Sequence, residues 1–320
     1  METTASIPLE AIETARERIA GTAIRTPTIR LNVDNAPAEI FLKLENLQPI
    51  GSFKLRGAAN RMLSVDRAEL EQGVWTASAG NMSQGVAWCA RLLGVQCAVV
   101  VPDTAPRTKL DATRRLGARI VSVSIDEWLE CFLTHEHPSM DGLFVHAFDD
   151  PAVMAGNGTA GLELLEDVPD VDAVVIPYGG GGLACGVASA VRALRPEAKL
   201  YAAEVDLGAP LAASFAAGTP TRVQYTPSWV DGIGAPMVFD GVYELSRRLL
   251  DDSIVVSLEQ IADALRLIVA RNHVVPEGAG ASSVAAALTG AAGGGKVACI
   301  VSGGNIDAST LATILAGGMP

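Results

Sequence analysis

The sequence lacks most of the features that would place it in a special class. Only five cysteines occur in 320 residues (Cys89, Cys97, Cys131, Cys185 and Cys299), an odd number with no C-x-x-C pair. Such scarcity excludes a disulfide framework and predicts reduced, mostly buried thiols in a cytosolic protein. Basic residues are outnumbered, 24 against 36 acidic, for a net charge of -12. An anionic surface repels phosphate backbones, so nucleic acid is not an expected partner. No apolar run approaches the roughly 18 residues that a membrane helix needs, so no membrane partner is expected either. The opening METTASIPLEAIETARERIA has early acids and no apolar core, unlike a signal peptide. Internal repeats and low-complexity tails are also missing. These absences predict a soluble, cytoplasmic protein.

What remains is an ordinary globular composition, 49% apolar and 19% charged, long enough for one large domain or two. Short apolar runs alternate with helical patterns from end to end. The spacing predicts strands at Phe41–Leu44, Val74–Ala77, Ala98–Val101, Ile120–Val123, Leu143–Ala147, Val174–Pro177, Leu200–Val205, Ile254–Val256 and Ala298–Val301. Most of these runs are continuous rather than alternating, as expected of parallel strands covered on both faces. Between them, Met82, Val86, Cys89 and Leu93 recur at helical spacing before Gly94. Leu183, Val187, Val191 and Leu194 do so before Pro196, and Leu258, Ile261, Leu265 and Ile268 mark another helix. Strand then helix, repeated, predicts an α/β fold with mostly parallel sheets. Asp206–Pro236, weakly periodic and rich in proline, reads as a long irregular binding loop.

Four segments carry chemistry. In Pro49–Ala58, a helix begins with Ser52 placed as its cap, and Lys54 and Arg56 lie at its start. Such a pair alone reads as a solvated surface pair. However, Phe53 and Leu55 flank the lysine, and an amine in apolar surroundings loses its proton and can condense with an aldehyde. In Thr76–Gly85, a strand turns directly into a helix, whose N-terminus either suits a carboxylate or is simply capped by Ser78 or Asn81. Gly179, Gly180, Gly181 and Gly182, before Leu183, let the backbone aim several N–H groups at one phosphate. No G-K-[ST] follows, and the dinucleotide pattern is missing, which leaves a phosphate monoester. The fourth segment, Ile300–Asn305, ends the last strand and could set the Ser302 hydroxyl beside a ring nitrogen.

In this order, SFKLRGA, SAGN, GGGGL and SGGN resemble the fold-type II pyridoxal-phosphate enzymes, in the branch of threonine dehydratases and serine racemases. Val99–Ala118, Ala155–Glu166 and Val275–Ala286 are similar too. The resemblance implies a tryptophan-synthase-β-like fold with two open, twisted, mostly parallel sheets and pyridoxal 5'-phosphate between two domains. The large domain would be 1–47 plus 146–320, and the small domain 48–145 would close over the substrate. Lys54 would hold the cofactor as an imine and later move the α-proton. Phe53 would pack near the ring, Asn81 would bond the ring oxygen, and Gly179–Leu183 would hold the phosphate. Ser302 would face the pyridine nitrogen and leave it unprotonated, a milder electron sink that favours elimination. Ser78, Ala79, Gly80, Asn81 and Met82 would bind the carboxylate of a small amino-acid substrate. Glu277 resembles an acid near the ring, although it could equally cap the next helix. Relatives are usually homodimers.

Three departures refine that expectation. Racemases of this branch carry a serine at the position of Ala79, and alanine has no transferable proton, so a lyase is expected. Met82 stands where many relatives have histidine, which suggests a pocket tolerant of a larger substituent, as in phenylserine. Glu204 and the Gly208 carbonyl match two parts of a cation site for Mg²⁺ or a similar ion, but its third position is Pro210. Cysteine-synthase-like replacement would want a segment closer to S-V-K-D-R, and a non-catalytic sensor would not need Lys54. The sequence ends soon after Asn305, so no C-terminal regulatory domain is expected.

Overall fold

The computed structural model describes residues 6–105 and 107–320, without the side chains of 107–109; residues 1–5 of the N-terminal stretch and residue 106 of Val99–Ala118 lie outside the described residues. The strands in chain order are β1 (Thr28–Arg30), β2 (Glu39–Leu44), β3 (Val74–Ala77), β4 (Cys97–Pro102), β5 (Arg119–Val123), β6 (Leu143–Phe144), β7 (Ala173–Pro177), β8 (Lys199–Val205), β9 (Asp252–Val256) and β10 (Lys296–Val301). They form one sheet in the order β1-β2-β10-β7-β8-β9 and a second in the order β5-β4-β3-β6. Every pairing is parallel except β1 with β2.

Each apolar run read as a strand contains one, with small shifts at the ends, except that Leu143–Ala147 is a strand only over Leu143–Phe144. The strand that the sequence does not announce is β1, whose Thr-Ile-Arg is too short to show a period.

Burial on both faces explains the continuous apolar runs. Side chains alternate across a strand. In β10, Ala298 and Ile300 therefore join the core beneath helices Pro151–Asp167 and Gly182–Leu194. Val297, Cys299 and Val301 join the opposite core, under Leu258–Asn272 and Gly278–Leu288. β7 divides the same way, with Val174 and Ile176 on one side and Ala173 and Val175 on the other. The second sheet packs on helices Asn81–Leu93 and Ile125–Thr134, and Lys54–Leu63 lies against Asn81–Leu93.

Helix ends follow the expected chemistry in most places. Gly94 terminates Asn81–Leu93 in the left-handed conformation, and Ser257 with Gln260 closes a capping box on Leu258–Asn272. Two readings need correction. Asp206–Pro236 is not wholly irregular, because Pro210 opens a helix through Ala217. Ser52 is not the cap expected of it: the helix starts at Lys54, and the Ser52 hydroxyl accepts the Lys54 N–H only at 3.4 Å. All five cysteines are free, and Cys97 alone among them is not fully buried.

Candidate active site

Three parallel strands end where the four segments meet. β3 runs into Ser78–Asn81, β7 into Gly179–Gly182, and β10 into Ser302–Asn305. The carboxyl ends of parallel strands are where α/β folds hold ligands. The lysine segment joins them through backbone bonds: Phe53 N–H donates to the Ser302 carbonyl at 3.0 Å, and Gly304 N–H to that of Gly51 at 2.9 Å. Side chains complete the link. The Asn81 amide donates to Glu277 Oε1 at 2.9 Å, while Asn305 Nδ2 donates to Asn81 Oδ1 at 2.8 Å and to the Ile50 carbonyl at 2.9 Å.

Lys54 opens the helix Lys54–Leu63 and is partly buried. Its Nζ donates to the Ala147 carbonyl at 2.5 Å and lies 5.1 Å from the centre of the Phe53 ring. Burial lowers its pKa to about 8, with the Glu277 carboxylate opposing the shift through space. A useful fraction of free amine is therefore present near neutral pH.

The glycine segment leads from β7 into the helix Gly182–Leu194. Gly181 caps that helix at φ +84°, a conformation that favours glycine. Gly180 lies against the Phe148 ring, where an added Cβ would come within 2.1 Å of a ring carbon. The first-turn amides of this helix have no intrahelical acceptors, and they carry the positive end of its dipole. A backbone stripped of side chains at a helix head is a fitting seat for a phosphate monoester.

Arg56, read from sequence as half of a solvated surface pair, is 1% exposed. Its guanidinium makes fork contacts with both Glu45 oxygens at 2.7 and 2.8 Å and both Glu163 oxygens at 2.7 Å. Lys43 Nζ adds a 2.6 Å bond to Glu163. Burial alone would lower the Arg56 pKa, but Glu45 and Glu163 hold it above its ordinary value. Two cations and two carboxylates thus pin the start of the lysine helix to β2 and to the helix Pro151–Asp167.

Several expectations drawn from the sequence change. Gly80, not Ser78 or Asn81, caps the helix Asn81–Leu93, and no side chain bonds its first turn there. Glu277 makes no capping bond to the helix it precedes; its carboxylate turns to Asn81. The Met82 side chain, 1% exposed, lies in the core beside the second sheet, so it forms no pocket wall. At the cation site read from Glu204 and the Gly208 carbonyl, the carboxylate already has other partners. Glu204 accepts Leu211 N–H at 2.9 Å, Ala212 N–H at 2.8 Å and the Ser253 hydroxyl at 2.6 Å. The head of Pro210–Ala217, with Pro210 in its first turn, answers the charge that a cation would have met. Ala147, which touches the lysine, and Phe148, which touches the glycines, carry no motif that marks them in the sequence.

The chain matches the family described as "Pyridoxal-phosphate dependent enzyme" over residues 19–303. It is 40% identical to an L-threonine ammonia-lyase of Thermotoga maritima over 318 residues, covering 98% of this chain and 79% of that protein. It is 38% identical over 316 residues to a catabolic L-threonine dehydratase of Escherichia coli, covering 96% of each. Maize serine racemase superposes with a TM-score of 0.89 at 33% identity, covering 98% of each chain. The residues present suit this cofactor: an amine with its pKa near 8 for the aldehyde, and bare backbone at a helix head for the phosphate. With two mostly parallel sheets in the tryptophan-synthase-β-like arrangement and these segments at their strand ends, the chain belongs to the pyridoxal-phosphate-dependent enzymes of fold-type II.

Proposed function

We propose that this protein removes the β-hydroxyl and the amino group from a β-hydroxy-α-amino acid, with L-threonine and L-serine as the first candidates. The products are a 2-keto acid and ammonia; the water lost in elimination is regained when the resulting enamine hydrolyses. The observation that carries the reading is Lys54, an amine with its pKa lowered to about 8 and bonded to the Ala147 carbonyl, next in the chain to the Phe148 that lies on Gly180 and Gly182. The similarity to threonine ammonia-lyases and dehydratases supports it.

Bound pyridoxal phosphate supplies an electron sink for the charge that develops at the substrate Cα. Amides of Gly179–Leu183 would hold the phosphate, and Asn81, itself fixed by Glu277 and Asn305, would meet the ring oxygen. Phe53 would pack near the ring and Ser302 would face its nitrogen. The head of the helix Asn81–Leu93, with Ser78–Met82, binds the substrate carboxylate. Lys54 takes the α-proton and returns one to the departing hydroxyl. Ala79 carries no proton for the opposite face, which favours elimination over racemisation. The same family reading supports closure of 48–145 against the rest of the chain, and a homodimer.

The experiment is a keto-acid release assay with L-threonine, L-serine, hydroxyaspartate and phenylserine, with chiral analysis of the remaining substrate. Keto acid from threonine or serine is the expected result. Rapid formation of the D-enantiomer with little keto acid would replace this reading with a racemase. Because Met82 is a core residue, no advantage for phenylserine is expected from it.

A further inference from the structure

We propose that His146 is a positioning residue that acts as a hydrogen-bond acceptor, fixing one short turn on which both the reactive lysine and the phosphate cradle rest. The inference rests on the reading of Lys54 as the cofactor-binding amine.

His146 lies just beyond β6, where the chain leaves the second sheet for the helix Pro151–Asp167. Its ring is 2% exposed and packs among Phe132, Phe148 and His135, with ring centres 4.6, 4.7 and 5.1 Å away. In those surroundings an apolar ring would pack as well. What an apolar ring could not do is accept hydrogen bonds. Nδ1 accepts the Asp149 N–H at 2.7 Å and the Phe148 N–H at 3.2 Å. A nitrogen that accepts carries no proton, so the proton of the neutral ring is on Nε2. Burial, with the nearby charges of His135 and Lys54, pushes the ring's pKa down to about 3 and keeps it neutral.

The turn so fixed has two faces. Ala147 offers its carbonyl to Lys54 Nζ at 2.5 Å. Phe148 sets its ring against Gly180 and its backbone against Gly182. Without the acceptor, two amides in this packed turn lose their partner and the turn must rearrange to satisfy them. Lysine and cradle would then move together.

Three variants separate this role from simple core filling. His146→Asn places an acceptor oxygen where Nδ1 stands, His146→Gln moves it toward the place of Nε2, and His146→Phe keeps a ring without any acceptor. Apo protein is titrated with pyridoxal phosphate, then separately with pyridoxal and with inorganic phosphate, and urea unfolding is measured alongside. His146→Phe and His146→Gln are expected to weaken binding of all three probes by about tenfold or more, and His146→Asn by less than about threefold. The proposal is overturned by a His146→Phe protein that binds all three like the parent, or by a His146→Asn protein as weak as His146→Phe. Nitrogen-15 spectra of histidine-labelled protein, with only four histidines to assign, provide a test that needs no variant to fold. A His146 ring protonated at Nε2 alone at neutral pH is expected, and a proton on Nδ1 sinks the idea. A parent protein that never takes up pyridoxal phosphate would instead overturn the Lys54 reading, and the spectra would still decide the turn.

Discussion

Lys43 and Lys54 are both drawn out of bulk water, and they end in opposite conditions. Lys43 Nζ meets the Glu163 carboxylate and the Thr26 carbonyl, each at 2.6 Å, inside the network that also holds Arg56 and Glu45. Lys54 has no ion pair among the described residues; its contact is a neutral carbonyl. Burial lowers the pKa of both lysines, but Glu163 opposes it at Lys43 from contact distance and Glu277 opposes it at Lys54 only through space. A counterion at contact makes a lysine a structural strut. Withholding that counterion leaves an amine that can react.

The sharpest way to break this contrast is Lys54→Ala. Activity should fall by about 10²–10⁴-fold or more, together with the absorption of the bound cofactor. If that absorption persists, the contrast between the two lysines loses its meaning. The next largest effect belongs to the strut. Glu163→Gln or Arg56→Met leaves buried charge uncompensated and should cost about 3–5 kcal/mol in urea unfolding. A loss under about 1 kcal/mol would mean that water reaches the network after all.

Glu277→Gln sharpens the other side. In the parent, the free amine of Lys54 grows as pH rises through about 8, so cofactor uptake by apo protein should rise with it. Removing the Glu277 charge removes what raises that pKa, and the inflection should move to lower pH. Uptake rates measured from about pH 6 to 10 check the sign; an unmoved or higher inflection contradicts the through-space role. The smallest effect is expected at a third lysine. Lys296 pairs with Asp170 at 2.6 Å on the surface, and Asp170→Asn should leave the melting temperature unchanged within error.

The same contrast shows what the sequence could disclose. Strands buried on both faces declare themselves in runs such as Ala298–Val301, since every position is apolar. The edge strand β1 does not, because three residues carry no period and one face is wet. The glycine cradle is legible for a related reason, as four consecutive glycines have few other uses at a strand end. Partners distant in sequence are not legible. Arg56 looks like surface charge until Glu163, 107 residues away, is seen to meet it. Phe148 gives no hint of lying on Gly180. Met82 misled because its place in a binding segment says nothing about direction; the helix beginning at Asn81 turns that side chain into the core.

The order of strands in the larger sheet bears on how the protein is made. β2 is complete by Leu44, yet its parallel partner is β10, and their register runs from Glu39 beside Lys296 to Leu44 beside Val301. During synthesis the N-terminal strand must wait for nearly the whole chain to be translated before that edge is paired. The four-stranded sheet, made from residues 74–144, can close long before. Nascent chains should therefore carry a finished smaller sheet while the seat for Ser302 does not yet exist, and an open strand edge is what chaperones guard in the interval.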